Sequence, residues 1–85
     1  MTLTFHLQAW DDYQYWQHND KALLRKVNQL IRDVQRDPFC GLGKPEALKG
    51  DLSGLWSRRV TDAYRLVYVI EGDDLVVLQC CGHHD

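Results

Sequence analysis

Hydrophobic and polar positions alternate at the start of the chain and then change period. Leu3, Phe5 and Leu7 alternate with polar residues, which predicts a half-buried opening strand. From about residue 8 the large aromatic residues recur with the spacing of one helix face, which predicts a first helix ending near residue 18 or 19. Asp11 and Asp12 are expected in its first turn, where the helix dipole favours negative charge.

A second helix is the most regular feature of the pattern. Asp20 is a good N-cap residue, and Pro38 is expected to stop the helix. Between these two residues an apolar stripe follows the helical period, with most of the charged residues lying off it. The stripe consists of Leu23, Leu24, Val27, Leu30, Ile31 and Val34.

A stretch of roughly 18 residues after Pro38 is rich in glycine and keeps no sustained period. An irregular segment of this length is unusual in a small domain unless it is functional. It holds Lys44, Glu46 and Lys49 between two well-defined elements. We therefore interpret it as a functional loop.

The rest of the chain predicts three strands in LWSRRV, YRLVYVIE and DLVVLQCC, joined by turns near residues 62–63 and 72–73. The middle strand is apolar from Leu66 to Ile70, which predicts a central position in the sheet. The order of elements is then β-α-α-β-β-β. It predicts one α+β domain over residues 1–85, with both helices on one face of a four-stranded, mainly antiparallel sheet.

Composition excludes several classes of protein. No apolar run approaches the roughly 20 residues that span a bilayer, and the N-terminus lacks a signal-like block, so we expect a cytoplasmic protein without membrane contact. Three cysteines, of which Cys80 and Cys81 are adjacent, make no disulfide framework. A zinc site of these two with His83 and His84 would lack the usual ligand spacing, so no metal is expected.

The formal net charge of −2 argues against a generic nucleic-acid binder. Charge is unevenly distributed, however, because residues 44–65 carry five Lys and Arg against three Asp and Glu. This positive stretch holds most of the candidate chemistry. One carboxylate, several cations and a terminal imidazole suffice for metal-free acid–base cleavage of a phosphodiester. The candidates are Glu46, Lys49, Arg58, Arg59, Arg65, His83 and His84.

Arg58 and Arg59 are neighbours on a predicted strand, so their side chains point to opposite faces. At most one of them can face the same cleft as the other candidates. The remaining arginine is expected to be an ordinary surface cation.

Several motifs in this order resemble the YoeB-type toxins of the RelE/ParE superfamily, the small ribonucleases of bacterial type II toxin–antitoxin modules. They are W-D-D-Y-x-Y-W at 10–16, G-K-P-E-x-L-K at 43–49, L-S-G-x-W-S-R-R at 52–59 and R-L-V-Y at 65–68. A terminal histidine pair stands where the family usually ends in His-Tyr. The resemblance covers nearly the whole chain and implies the RelE-like fold.

The resemblance implies metal-independent, cofactor-free cleavage of mRNA in the ribosomal A site by attack of the 2′-hydroxyl on the adjacent phosphate. Glu46 would be the general base, His83 the general acid, and Arg65 the group that stabilises phosphoryl charge. Lys49 and Arg59 would hold the RNA backbone.

The chain departs from the family pattern at its end. His84 replaces the usual tyrosine, and because an imidazole can also stack and donate a hydrogen bond, it is a candidate to share the general-acid role. Cys81 stands where related toxins often carry a basic residue.

The resemblance implies several partners: a YefM-type antitoxin, the ribosome with its mRNA, and DNA only indirectly through the antitoxin complex. It leaves open whether the toxin is a monomer or a homodimer. Two alternatives also stay open, a non-enzymatic inhibitor of a gyrase-type target and a weakened toxin that acts as a co-repressor.

Overall fold

Five strands form one mixed sheet in the part of the chain that the structure describes, and two consecutive helices pack on it. The structure is a computed structural model that describes the backbone of residues 1–83 and the side chains of residues 1–81. Only the pair formed by the two strands nearest the chain termini is parallel among the described pairs. Across the sheet the order is β1 (Thr2–Phe5), β5 (Asp74–His83), β4 (Tyr64–Glu71), β3 (Trp56–Arg59) and β2 (Glu46–Ala47).

The predicted α+β class is confirmed, whereas the predicted count of four strands is wrong. The fifth strand is β2, a two-residue strand inside the segment that was expected to be irregular. Its residues pair with β3, Glu46 opposite Ser57 and Ala47 opposite Trp56. Two residues are too few to establish a period of two, which is why the pattern gives no sign of this strand.

Both predicted helices are confirmed. α1 spans Leu7–Asn19 and α2 spans Lys21–Arg36. Asp20 joins them, since its backbone N–H donates to the carbonyl of Trp16 and its side chain accepts from the backbone N–H of Leu23 at 3.1 Å. Because α1 starts at Leu7, Asp11 and Asp12 lie in its second turn, and the prediction that they lie in the first turn is wrong.

The core lies between the helices and the three central strands of the sheet. β4 is central, as predicted from its apolar run. Its even-numbered residues face the helices and are fully buried at Leu66 and Tyr68, whereas Val67 and Val69 on the other face are only half-buried. The buried apolar residues of the core are Ala9, Trp16, Val27, Leu30, Ile31, Val34, Val60, Leu66, Tyr68, Leu75, Val76, Val77 and Cys80.

The pairing between β4 and β5 is irregular near the end of β5. Arg65 pairs with Gly82, but Val67 pairs with Gln79, so β5 uses three steps where β4 uses two. This is a β-bulge that contains Cys80 and Cys81, and a second shift follows because Val67 pairs with Gln79 but Tyr68 pairs with Val77. Such shifts leave backbone groups without their usual ladder partner.

None of the helices within residues 1–83 is long and apolar enough to cross a lipid bilayer.

Candidate functional site

Four polar side chains share one face of the sheet. Glu46 pairs with Ser57 across β2 and β3, and Arg59 pairs with Arg65 across β3 and β4. Residues opposite each other, or two apart on one strand, project to the same face. Arg58, between Ser57 and Arg59, contacts α2 and therefore marks the other face. We call the face of β2, β3 and β4 that carries Glu46, Ser57, Arg59 and Arg65 the open face.

Arg65 lies near the start of β4, on the β4 side of the open face. Its Nη1 is 3.5 Å from the Ser57 hydroxyl oxygen, at the outer limit of a hydrogen bond. Ser57 is only 1% exposed, whereas Arg65 is half-buried. The hydroxyl accepts one N–H of the guanidinium and so limits the directions in which the remaining donors can point.

Arg59 is more exposed than Arg65. Its Nη1 lies 3.9 Å from Oδ1 of Asp62, which is fully exposed. An ion pair of this length between exposed groups contributes little to stability. The Arg59 guanidinium can therefore leave Asp62 and bind an anion on the open face at little cost in free energy.

Glu46 lies at the edge of the sheet and is exposed. From strand spacing and rise, its Cα lies about 12 Å from that of Arg65, a separation that both side chains can bridge to one phosphodiester between them. Lys49 is also exposed and lies just before a 3₁₀ turn at Gly50–Leu52, within the connection to β3. The segment is held at its base by the Leu48 N–H, which donates to the carbonyl of Leu55 at 2.9 Å.

The C-terminal end of β5 runs beside the start of β4, the strand that carries Arg65. The backbone of His83 pairs with Tyr64, the residue before Arg65. The side chain of His83 and the whole of His84 lie outside the described residues. The structure thus brings Glu46, Arg59 and Arg65 to one face, and the backbone that carries His83 to the strand of Arg65.

Arg58 is not the ordinary surface cation that the alternation predicted. It is fully buried, and all five of its N–H donors have an acceptor. Nη1 donates to Oδ2 of Asp33 at 2.5 Å, and Nε donates to the Tyr68 hydroxyl at 3.2 Å. The other acceptors are the backbone carbonyls of Asp37, Cys40 and Leu42.

This buried arginine fixes the segment that leads from α2 to Glu46. Asp33 accepts from Arg58 and also from the Leu42 N–H at 2.8 Å. These two bonds, the backbone one being the larger effect, lower the pKa of Asp33 from 3.8 to about 2. One residue further on, the Gly43 carbonyl accepts from the Arg59 N–H at 2.6 Å, which ties the segment to β3 just before β2 begins.

Among the described side chains, no group of three or more His, Cys, Asp or Glu is placed to hold a metal ion. Burial, together with the nearby Asp12 carboxylate, raises the pKa of Cys80 to about 12. Zinc binds thiolate rather than thiol, so this environment disfavours Cys80 as a ligand.

The contact of Ser57 with Arg65 and the burial of Arg58 were not predicted from the sequence. Ser57 carries no charge and has no motif of its own, so nothing in its local sequence indicates that it contacts Arg65. The burial of Arg58 did leave a signal. Trp56 and Val60 are apolar and two residues away on either side, so the period of two places Arg58 on the inward face.

Comparison with known proteins gives consistent matches over the whole length. Residues 5–84 match the family model of the YoeB-like toxin of bacterial type II toxin–antitoxin systems. The chain is 50% identical to Toxin YoeB of Escherichia coli K12, with 99% of this chain and all of the relative covered. A solved YoeB/ParE toxin from Agrobacterium tumefaciens is 50% identical, with a TM-score of 0.96, and the match covers 99% of this chain and 100% of that one.

A further solved relative is the toxin in a heterotetrameric YoeB–YefM toxin–antitoxin complex from Staphylococcus aureus. It is 39% identical with a TM-score of 0.91, and the match covers 99% of this chain and 98% of that one. Similarity of this extent assigns both the fold and the family.

Proposed function

The chain belongs to the YoeB-like toxins of bacterial type II toxin–antitoxin systems, and on that premise we propose that it is a metal-independent endoribonuclease that cleaves mRNA in the ribosomal A site. One observation carries the proposal. A carboxylate at Glu46 and two guanidinium groups at Arg59 and Arg65 share the open face, and the strand that ends at His83 runs beside Arg65.

The reaction needs three groups. Glu46 removes the proton from the 2′-hydroxyl, whose oxygen then attacks the adjacent phosphorus. The bond from phosphorus to the 5′-oxygen breaks, and that oxygen takes a proton from the imidazole of His83, alone or shared with His84. The products are a 2′,3′-cyclic phosphate and a 5′-hydroxyl, so no water is consumed and each proton has a donor and an acceptor.

The cations of the open face serve the phosphate. Arg65 stabilises the extra negative charge on the phosphoryl oxygens, and the Ser57 hydroxyl lies beside its guanidinium at 3.5 Å. Arg59 and Lys49 hold the neighbouring RNA backbone. A guanidinium offers a fork of donors that matches two phosphate oxygens, which suits Arg65 to the reacting phosphate.

The partners follow from the family. We propose that a YefM-type antitoxin neutralises the toxin, because the Staphylococcus aureus relative is solved with YefM. The substrate is mRNA on the ribosome, which places the action in the cytoplasm. DNA is contacted only through the antitoxin complex, no cofactor is needed, and a homodimer stays open as the resting state.

A pair of carboxylate variants tests the proposal. Glu46→Gln keeps the size of the side chain and removes the base, so cleavage in a translation reaction should slow by about 100- to 10,000-fold. Glu71→Gln is the matched control, because Glu71 is an exposed carboxylate on the same face of β4 but far from Arg65. It should cleave at the wild-type rate. The cuts are mapped by primer extension on the translated mRNA.

One result would contradict the nuclease function, and two others would change the roles assigned to residues or the strength of the toxin. Wild-type protein that leaves mRNA intact but inhibits a topoisomerase would favour the gyrase-type alternative. Full cleavage by Glu46→Gln would remove this residue from the mechanism. A large rate gain on His84→Tyr would indicate a weakened toxin that acts as a co-repressor.

A further inference from the structure

The end of β5 pairs with β4 along one edge, and along its other edge it contacts α1 instead of a strand. On the side of β1 the pairing of β5 stops at Val77, which pairs with Phe5 and accepts a hydrogen bond from the His6 N–H at 2.9 Å. After His6 the chain continues from β1 into α1, so β1 offers β5 no further pairing partner. The edge of β5 past Val77 therefore needs other partners for its backbone groups.

Two side chains of α1 supply those partners. Oδ2 of Asp12 accepts from the backbone N–H of Cys80 at 3.1 Å and from that of Cys81 at 3.2 Å. Nε1 of Trp16 donates to the carbonyl of Cys80 at 2.9 Å. Both backbone groups of Cys80 are thus bound by one helix turn.

We call Asp12 and Trp16 the clamp, and further contacts hold both side chains in place. Trp16 is 4% exposed, and its ring packs edge-on against Tyr64 at a centroid distance of 5.0 Å. The second carboxylate oxygen of Asp12 accepts from Nε2 of Gln8 at 2.9 Å, which fixes the orientation of the carboxylate. Asp12 and Trp16 are four residues apart and so lie on the same side of α1.

The bound residues are those of the β-bulge, which sets where the rest of β5 runs. Cys81 is only two residues before His83, so a shift of the bulge is carried to His83 almost undiminished. We propose that Asp12 and Trp16 are positioning residues that fix the bulge at Cys80 and Cys81 and thereby place His83 against the phosphate held by Arg65. This rests on the nuclease function proposed above.

Variants of Asp12 separate positioning from folding. Asp12→Ala removes the acceptor for both N–H groups, so kcat for mRNA cleavage should fall about 10- to 100-fold, since a misplacement near 1 Å can cost that much. KM should change less than about threefold, because Lys49 and Arg59, the cations assigned to the RNA backbone, lie before β3 and at its end and make no contact with Asp12 or Trp16. Asp12→Asn keeps an oxygen that can accept both bonds, and should restore kcat to within about threefold of wild type.

Two further variants complete the design. Asp11→Ala removes an adjacent exposed carboxylate and is the matched control, expected to cleave like wild type. Trp16→Phe removes the Nε1 donor while keeping an aromatic ring, and should lower kcat in the same direction as Asp12→Ala. It carries the test alone if Asp12→Ala fails to fold. Amide hydrogen exchange at Cys80 and Cys81 should be faster in Asp12→Ala and unchanged in Asp11→Ala.

The outcomes are distinguishable. Wild-type protein that does not cleave mRNA overturns the nuclease function and the positioning role with it. Wild-type cleavage with an unchanged kcat in folded Asp12→Ala or Trp16→Phe overturns the clamp alone. A loss that appears only in KM, or that matches the loss of folded protein in the same samples, also overturns it.

Discussion

Arg58 and Arg59 are the same residue type at adjacent positions of one strand, yet they meet opposite surroundings. Arg58 is fully buried on the helix side of the sheet, where all five of its donors have protein acceptors. Arg59 is exposed on the open face, and its ion-pair partner lies 3.9 Å away. The alternation of a strand alone separates a structural cation from a candidate phosphate ligand.

The two arginines act together through the backbone. On the helix side of the sheet, Arg58 donates to three backbone carbonyls of the segment after α2. The Arg59 N–H donates to the carbonyl of Gly43 at the end of that segment. Gly41 lies within it at a φ of +128°, and a Cβ there would collide with the Asp33 carboxylate. The contacts on the helix side of the sheet, which we call the covered face, therefore set where β2 begins. β2 in turn carries the Glu46 carboxylate on the open face.

The largest expected effect is a loss of stability when the buried arginine, Arg58, is removed. Arg58→Ala removes the buried ion pair with Asp33 and the donor that Arg58 supplies to three backbone carbonyls, and should lower the free energy of unfolding by about 3–5 kcal/mol. Urea unfolding followed by circular dichroism measures the loss. Arg59→Ala is the control and should stay within about 0.5 kcal/mol of wild type. Equal losses in the two variants would contradict the assignment of Arg58 as the structural arginine.

The next largest effect is a loss of activity when the exposed arginine, Arg59, is removed. Arg59→Ala should lower kcat/KM for mRNA cleavage by about 10- to 100-fold, the size expected for one charge-assisted bond to phosphate. Arg25→Ala removes an exposed cation of α2 and should leave cleavage unchanged. Cleavage is followed with purified variants in a translation reaction. An Arg59→Ala enzyme as active as Arg25→Ala would remove Arg59 from RNA binding.

The smallest effect is the pH dependence of the covered face. The pKa of Asp33 is about 2 in the folded chain against 3.8 as the ordinary value, so the folded state binds its proton less readily than the unfolded state. Its contribution to stability is complete above pH 3.8 and is lost as the pH falls towards 2. Unfolding midpoints measured across this range should fall less steeply in Asp33→Asn. The same slope in both proteins would show that Asp33 is not the titrating group.

Long periodic elements could be predicted from the sequence, and short or long-range features could not. α2 was predictable because its apolar stripe, Asp20 cap and Pro38 stop all agree. β2 was not, because two residues carry no period and its strand pairing depends on β3. The role of Asp12 depends on the bulge in β5, 68 residues away in sequence, which no local pattern reveals.

The candidate site divides in the same way. Glu46, Arg59 and Arg65 were identified from their residue types and their motifs, and their shared face agrees with strand alternation once the register is known. Their catalytic roles, and those of Lys49, His83 and His84, stay predictions. The misassignment of Arg58 had a physical cause, since a charge was assumed to seek solvent. Five well-placed acceptors offset its burial instead.

A structure of the Glu46→Gln variant bound to a ribosome with mRNA in the A site tests the central claim most directly. The account predicts that one phosphodiester lies on the open face, within hydrogen-bond distance of the Arg65 guanidinium and of the His83 imidazole. A complex in which the mRNA contacts another surface, with Arg65 and His83 away from any phosphate, would contradict it.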